Sequence, residues 1–398
     1  MRQIYLDNNA TTRVAPEVLD VMLPCYQNVY GNASSVHAFG QEAKGLLENA
    51  RQHIADLLNA EPNEIVFTSG GTESDNLAIR GIVEASARPK KHVITTRVEH
   101  HAVLHACQAL QKAEVDVTYL PVDSEGLVDP EDVRKAITPD TILISVMHSN
   151  NEIGTTQDLR RIGQIALEHD VYFHTDAVQA AGKLPLDVDD LNADLLSVAG
   201  HKFHAPKGVG ALYVRKGTRL RPLFFGGAHE RNRRAGTENI PQIAGLGAAA
   251  DRAGKGLDER AKSIGELRDH FEHEVCQRIP GVALNGSRLS RVSNTSNLRF
   301  EQADSESLVI NLDLAGVACS TGSACASGSI EPSHVLLALG LPVEQAFSSV
   351  RFSLSRYTTR EEIDAVLEIL PGVVSRCRQG SPAGLGCTPG LEQAMTND

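Results

Sequence analysis

EIVFTSGGTESDNLAIRGIVEAS (64–86) is the stretch that decides the fold. Residues 64–69 form an apolar run with β-branched and aromatic side chains, which reads as a strand. Two glycines turn the chain, and 72–86 has the spacing of an amphipathic helix. The same unit repeats downstream. HVITT (92–96), VDVTYL (115–120), TILISVM (141–147) and VYFHTD (171–176) read as further strands. HAVLHACQALQKA (101–113) and LRRIGQIALEH (159–169) read as helices among them, and GALYVR (210–215) follows. Strand–helix alternation of this length predicts an α/β fold whose mostly parallel sheet is covered on both faces. Ligands of such sheets bind beyond the carboxyl ends of the strands.

After about residue 250 the texture changes. GLDERAKSIGELRDHFEHEVCQRI (256–279) is a long charged amphipathic helix, and TREEIDAVLEILPGVV (359–374) opens on a Thr-x-x-Glu capping box. A second, smaller α+β domain is expected here. The last stretch, 379–398, is rich in Gly and Pro without periodicity and reads as a mobile tail.

Composition narrows the function classes. The chain has 398 residues and a net charge of −12, so it carries no global electrostatic reason to bind nucleic acid. The densest basic cluster, Arg231, Arg233 and Arg234, is short and reads as a solvated or phosphate-facing loop. No run approaches the ~18 apolar residues of a membrane span, and no signal peptide is legible in MRQIYLDNNATT (1–12), so no membrane association and a cytoplasmic location are expected. The seven cysteines are odd in number and widely spaced, without a CxxC pair. They are expected to be free thiols, with no metal site.

Three segments carry chemistry. In TSGGTESDN (68–76) the glycine turn leads into a helix N-terminus, a cradle suited to phosphate, although a ligand-free tight turn looks the same. In FHTDAVQAAGK (173–183) Asp176 ends an apolar strand. A carboxylate buried there needs a cationic partner, unless it merely caps a helix. In SVAGHKFHAPKGVGALYV (197–214) Lys202 ends another apolar strand, where desolvation can make its amine nucleophilic. The alternative is a lysine that reaches solvent, and Lys207 is the rival for the role. Phosphate cradle, carboxylate for a pyridine nitrogen and Schiff-base lysine are what pyridoxal phosphate requires of a protein.

YLDNNATT (5–12), GNASSVH (31–37), FTSGGTESDN (67–76), VEHHAVL (98–104), MHSNNEIG (147–154), HTDAVQA (174–180), AGHKFHAPKGVG (199–210), GGAHERNRRAGTEN (226–239) and CSTGSACASGS (319–329) together resemble the cysteine desulfurases of the NifS/IscS type. These are fold-type I, class V members of the pyridoxal-phosphate aminotransferase superfamily. The resemblance runs from about residue 4 to about residue 375. It implies a large cofactor-binding domain over 16–250 with a mostly parallel, seven-stranded sheet. A small domain over 1–15 and 251–378 would carry the catalytic cysteine. The resemblance assigns Lys202 as the cofactor's covalent anchor, Asp176 to the pyridine nitrogen and Gln179 to the phenolic oxygen. His100 would stack on the ring and move protons. Gly71, Thr72 and His201 would hold the phosphate, Asn151 would lie near the phenolic oxygen and substrate, and Thr237 would reach the phosphate of a partner subunit, which implies a homodimer. Ala199 departs from the pattern, since many relatives have Ser there, and one phosphate contact is then missing.

The run GVACSTGSACASGSIEPSH (316–334) is dense in Gly, Ser and Ala and reads as a mobile loop. The resemblance names Cys325 within it as the nucleophile that receives sulfur from L-cysteine, while Cys319 is expected to pack. In RFSLSRYTT (351–359), Arg351 aligns with the carboxylate-binding arginine of relatives and Arg356 is its rival. The implied activity is release of L-alanine from L-cysteine with a persulfide left on Cys325. That sulfur would go to an iron–sulfur scaffold or another acceptor protein. HAPKGVG, RAGTEN and SACASGS favour the NifS branch, which serves nitrogenase cluster assembly. Selenocysteine lyase, another class V aminotransferase activity and a non-catalytic assembly scaffold are the competing readings.

Overall fold

A computed structural model describes residues 3–321 and 331–380. Among the described residues thirteen strands form three sheets. In chain order they are β1 (Ile4–Tyr5), β2 (Ile65–Thr68), β3 (His92–Thr96), β4 (Asp116–Leu120), β5 (Thr141–Ser145), β6 (Tyr172–Asp176), β7 (Leu195–Ala199), β8 (Gly210–Val214), β9 (Val282–Leu284), β10 (Thr295–Phe300), β11 (Val317–Ala318), β12 (Ser320–Thr321) and β13 (Ser349–Ser353). The helices are α1 (Pro16–Asn28), α2 (Ala38–Leu58), α3 (Gly71–Ala85), α4 (His101–Gln111), α5 (Pro130–Ala136), α6 (Leu159–Glu168), α7 (Ile240–Gly254), α8 (Leu257–Arg278), α9 (Ser305–Leu314), α10 (His334–Ala338), α11 (Val343–Ala346) and α12 (Arg360–Gly380).

The large sheet has seven strands in the order β2-β8-β7-β6-β5-β3-β4. Pairing is parallel from β7 through to β4, and β8 runs antiparallel to both its neighbours. The reversal follows from chain length. Only residues 200–209 link β7 to β8, fewer than a parallel crossover needs. Strands β2, β3, β5, β7 and β8 are buried at every residue, as continuous apolar runs covered on both faces should be. One face packs on Ile54 and Leu58 of α2, Val18 of α1 and Leu246 of α7. The other packs on Ile79 and Ile82 of α3 and Val103 and Cys107 of α4.

A second core gathers Phe271 and Val275 of α8, Leu298 of β10, Phe352 of β13 and Ile363, Leu367 and Leu370 of α12. Ile4 and Leu6 insert into it from the other end of the chain, because β1 pairs in parallel with β11. The Phe271 and Phe352 rings meet edge to face at 5.0 Å. The capping box of α12 closes both ways: Thr359 N–H donates to Glu362 Oε2 at 3.1 Å, and Glu362 N–H to Thr359 Oγ1 at 3.3 Å.

Two expectations need correction. The run 316–334 is not a loop throughout, since β11, β12 and the start of α10 lie within it. Pairing with β1 and β13 supplies order that its composition does not announce. The tail expected from 379 begins no earlier than 381, because α12 continues to Gly380, and 381–398 lie outside the described residues. Among the described residues no helix is long and apolar enough to cross a membrane.

Candidate active site

The carboxyl ends of β2, β3, β5, β6 and β7 converge on a cavity of about 400 Å³, closed by the segment after β1 and by Arg351 of β13. Gly71, Thr72, His100, Asn151, Asp176, Gln179, His201, Lys202 and Arg351 all line it. Residues as far apart in sequence as 71 and 351 thus share one site. A separate cavity of about 50 Å³ lies behind Lys202.

At one end of the main cavity is the N-terminus of α3. Gly70 takes φ 149° and ψ −173°, a conformation essentially reserved for glycine, and so turns β2 sharply into the helix. The first-turn N–H groups of α3 have no partner within the helix, and its dipole adds positive potential there. His201 stands nearby, with Nδ1 3.2 Å from Thr11 Oγ1. Ala199 is buried in the wall.

Asp176 ends β6 with only 5% of its surface exposed, and its Oδ1 accepts the Val178 N–H at 2.9 Å. Burial raises its pKa to about 6, opposed by that hydrogen bond and by the charge of Lys202. Asp75 also faces the cavity. Burial, and then the charge of Asp176, hold its carboxyl well above the ordinary range. Its buried Oδ1 has no hydrogen-bond partner, and His174 Nε2 lies 3.7 Å away. A cavity wall with two buried carboxyls pushed toward protonation has room for a cation. A protonated ring nitrogen at Asp176 supplies one, so these residues fit pyridoxal phosphate.

Lys202 Nζ donates to the carbonyl oxygens of Asn9 at 2.6 Å and Ala10 at 2.9 Å. His100 caps α4, its Nδ1 accepting the Ala102 N–H at 3.1 Å, which leaves Nε2 as the protonated nitrogen of the neutral ring. Burial, and then the charge of Lys202, lower its pKa to about 4. Burial and Lys202 lower that of His201 likewise to about 4. Gln179 Nε2 donates to Asn9 O at 3.0 Å. Arg351, buried in the cavity wall, donates to Asp7 Oδ1 at 2.8 Å and to Asn151 O at 2.9 Å.

The rivals fall elsewhere. Lys207 is exposed. Arg356 pairs with Glu17 at 2.6 Å and lines the small rear cavity. Cys319 is buried, and burial pushes its thiol up to about 12. Thr237 is exposed and does not line this chain's cavity. Cys325 lies outside the described residues. The flanking described residues bracket the site: Thr321 of β12 pairs with Val350 of β13, next to Arg351, and His334 lines the cavity. Sequence reasoning missed Asp75, Asn9 and His334. Asp75 carried a signal, since it lies one turn after Gly71 on the same face of α3. His101 also lines the cavity, and its ring lies 4.8 Å from that of His334. Among the described residues no cluster of His, Cys, Asp and Glu could hold a metal ion.

Residues 4–366 match the family described as Aminotransferase class-V. The chain is 50% identical to "Cysteine desulfurase IscS" of Dictyoglomus turgidum over 96% of its own length and 97% of that protein's. It superposes on a solved "NIFS-LIKE PROTEIN" with TM-score 0.89 and 37% identity, covering 94% of this chain and all of that one. It also superposes on "SspA in complex with cysteine" with TM-score 0.80 and 40% identity, covering 89% of this chain and all of that one. With Lys202, Asp176 and the N-terminus of α3 around one cavity, the chain belongs to the class V aminotransferase family, among its pyridoxal-phosphate-dependent cysteine desulfurases.

Proposed function

We infer that the protein removes sulfur from L-cysteine, releasing L-alanine and leaving a persulfide on Cys325. The observation that carries this reading is the cavity shared by Lys202, Asp176, His100 and Arg351. Lys202 would hold pyridoxal phosphate, Asp176 its ring nitrogen, and Gln179 and Asn151 its phenolic oxygen. Gly71, Thr72 and His201 would hold its phosphate. The bound cofactor supplies an electron sink that acidifies the substrate Cα–H.

Arg351 binds the substrate carboxylate and fixes its orientation, since its guanidinium is already held by Asp7 and Asn151. Lys202, its amine in the cavity, would take the Cα proton as base. His100, neutral and half-buried, would stack on the ring and carries its proton at Nε2. An ordinary thiol has a pKa of about 8.5, and the cations Lys202 and Arg351 favour its thiolate. The Cys325 thiolate attacks the substrate sulfur. The S–S bond forms as the Cβ–S bond breaks with its electron pair left on the carbon, Cβ gains a proton, and Cα regains the proton that Lys202 holds, to give alanine. Thr321, paired with Val350 beside Arg351, and His334, which lines the cavity, flank Cys325 in sequence, which supports its access to the substrate.

The same reading takes 16–250 as the cofactor-binding unit and 1–15 with 251–378 as the small unit. The two main cores, one over the large sheet and one shared by Ile4, Leu6 and the region from Phe271 onward, support this division. A homodimer places the exposed Thr237 at the partner's phosphate. The persulfide sulfur goes to an iron–sulfur scaffold or other acceptor protein in the cytoplasm, with nitrogenase cluster assembly as the narrower destination.

The test is to load the protein with pyridoxal phosphate, add L-cysteine and follow alanine and protein-bound sulfur. Cys325→Ala is expected to abolish the persulfide and slow alanine release by about 100-fold or more. Alanine release unchanged in that variant would sink the persulfide route. A kcat/KM for selenocysteine far above that for cysteine would move the assignment to a lyase.

A further inference from the structure

Lys183 belongs to the segment that carries Asp176 and Gln179, yet the function above gives it no task. Its ammonium donates to Gln179 Oε1 at 2.7 Å and to Asn9 Oδ1 at 3.3 Å. Among the described residues no carboxylate pairs with it. Lys183 is half-buried, and an ammonium withdrawn from water without a carboxylate costs desolvation that a methionine in the same space would not.

The contacts show what the ammonium does. Gln179 Nε2 donates to Asn9 O while its Oε1 accepts from Lys183. Turning that amide over would set its NH₂ against the ammonium and its oxygen against a carbonyl, so Lys183 fixes which end of Gln179 is the donor. Asn9 is fixed the same way. Its Oδ1 accepts from Lys183 and from Asn294 Nδ2 at 3.0 Å, while its Nδ2 donates to Thr295 Oγ1 at 2.8 Å and Asn151 O at 3.1 Å. The carbonyl of Asn9 also takes the amine of Lys202. Lys183 does not line the main cavity; it lines the small one behind it.

We propose that Lys183 is a positioning residue for the cofactor: by clamping Gln179 Oε1 and Asn9 Oδ1 it keeps the Gln179 NH₂ available to the cofactor's phenolic oxygen and holds the Asn9 carbonyl beside Lys202. The inference rests on the roles assigned above to Gln179 and Lys202. Burial, and then the charges of Lys202 and Arg351, lower the pKa of Lys183 to about 7, so it shares a cationic neighbourhood with them. His204 faces it as well, and Arg252, Arg260 and Arg356 line the rear cavity around it.

The experiment is a pH titration of the visible absorption band of the loaded protein, in wild type, Lys183→Met, Lys183→Gln and Lys183→Arg. Below about pH 7, where Lys183 is charged, losing the cation favours the protonated chromophore, and loosening the Gln179 donor favours it at any pH. The midpoint is expected to rise by about one pH unit in the neutral variants, the size of one charge acting across a few residues' width. Lys183→Arg restores at least half of that shift. The glutamine variant serves where the methionine variant does not fold. A fully loaded neutral variant with the wild-type midpoint overturns the proposal, as does an arginine variant shifted as far as the neutral ones. Lys202→Ala, run beside them, is expected to lose the titrating band. A band that survives there overturns the assignment beneath this one.

Discussion

Glu99 adjoins His100 but stays outside the main cavity, and its Oε1 accepts from Thr96 Oγ1 at 2.8 Å and Met147 N–H at 2.9 Å. Burial raises its pKa to about 8 against those two bonds, with the charge of Asp176 adding to the rise. The folded value exceeds the unfolded one, so the folded state binds the proton more tightly. Stability from this group is therefore full at low pH and is lost as pH climbs from the ordinary carboxylate range toward about 8. Glu99→Gln keeps an acceptor for both donors and removes the ionisation. Its melting temperature should fall less than the wild type's between about pH 5 and 8. Equal slopes in thermal melts would show that Glu99 ionises freely. Arg351 yields a second expectation. Arg351→Lys loses the fork that grips Asp7 and Asn151 O together, and KM for L-cysteine should rise about 10- to 100-fold with a smaller change in kcat. A variant with unchanged KM would remove Arg351 from the substrate carboxylate.

The turn from β2 into α3 acts as one element, with Gly70 as its hinge. A side chain there has open space but not a permitted backbone: at φ 149° strain of about 1–3 kcal/mol is expected, and the turn must relax to relieve it. Relaxation re-aims the first N–H groups of α3. Gly70→Ala should therefore weaken pyridoxal phosphate binding by about tenfold, read by reconstituting apo-protein, with a melting temperature a few degrees lower. This element was legible because its glycines and its change of period lie in one contiguous stretch. The hidden elements depend on distant partners. β12 is two residues of Ser and Thr whose order comes from pairing with β13, and no local pattern announces that. α12 passes through Pro371 to Gly380 because Val373 and Val374 are buried in the second core, which outweighs the helix-breaking signal at Pro371.

Across the whole molecule, the same contrast separates the residues that sequence reasoning found from those it missed. Asp176 ends an apolar strand and Lys202 follows one within three residues, so local pattern and physical need point to them together. Asn9 joins Lys202, Gln179, Asn151 and Thr295 in space, yet in sequence it is one asparagine in an irregular segment. The largest feature left to explain is on the surface. Leu23, Tyr26, Tyr30, Val36 and Phe39 leave apolar side chains exposed from α1 through the linking segment to the start of α2, with Tyr30 at 74% and Val36 at 93%, and Phe225 stands 87% exposed before Thr237. Monomeric proteins rarely leave so much apolar surface in water, and a second copy of the chain would cover it. The protein should sediment at twice its 42.8 kDa chain mass. Tyr26→Glu with Tyr30→Glu should shift it toward monomer while its circular dichroism is kept. If Thr237 completes the partner's phosphate site, that monomer binds pyridoxal phosphate at least about tenfold more weakly although its own Lys202 and Asp176 are intact, a loss of about 1.4 kcal/mol. A folded monomer with wild-type cofactor affinity would place the whole phosphate site within one chain.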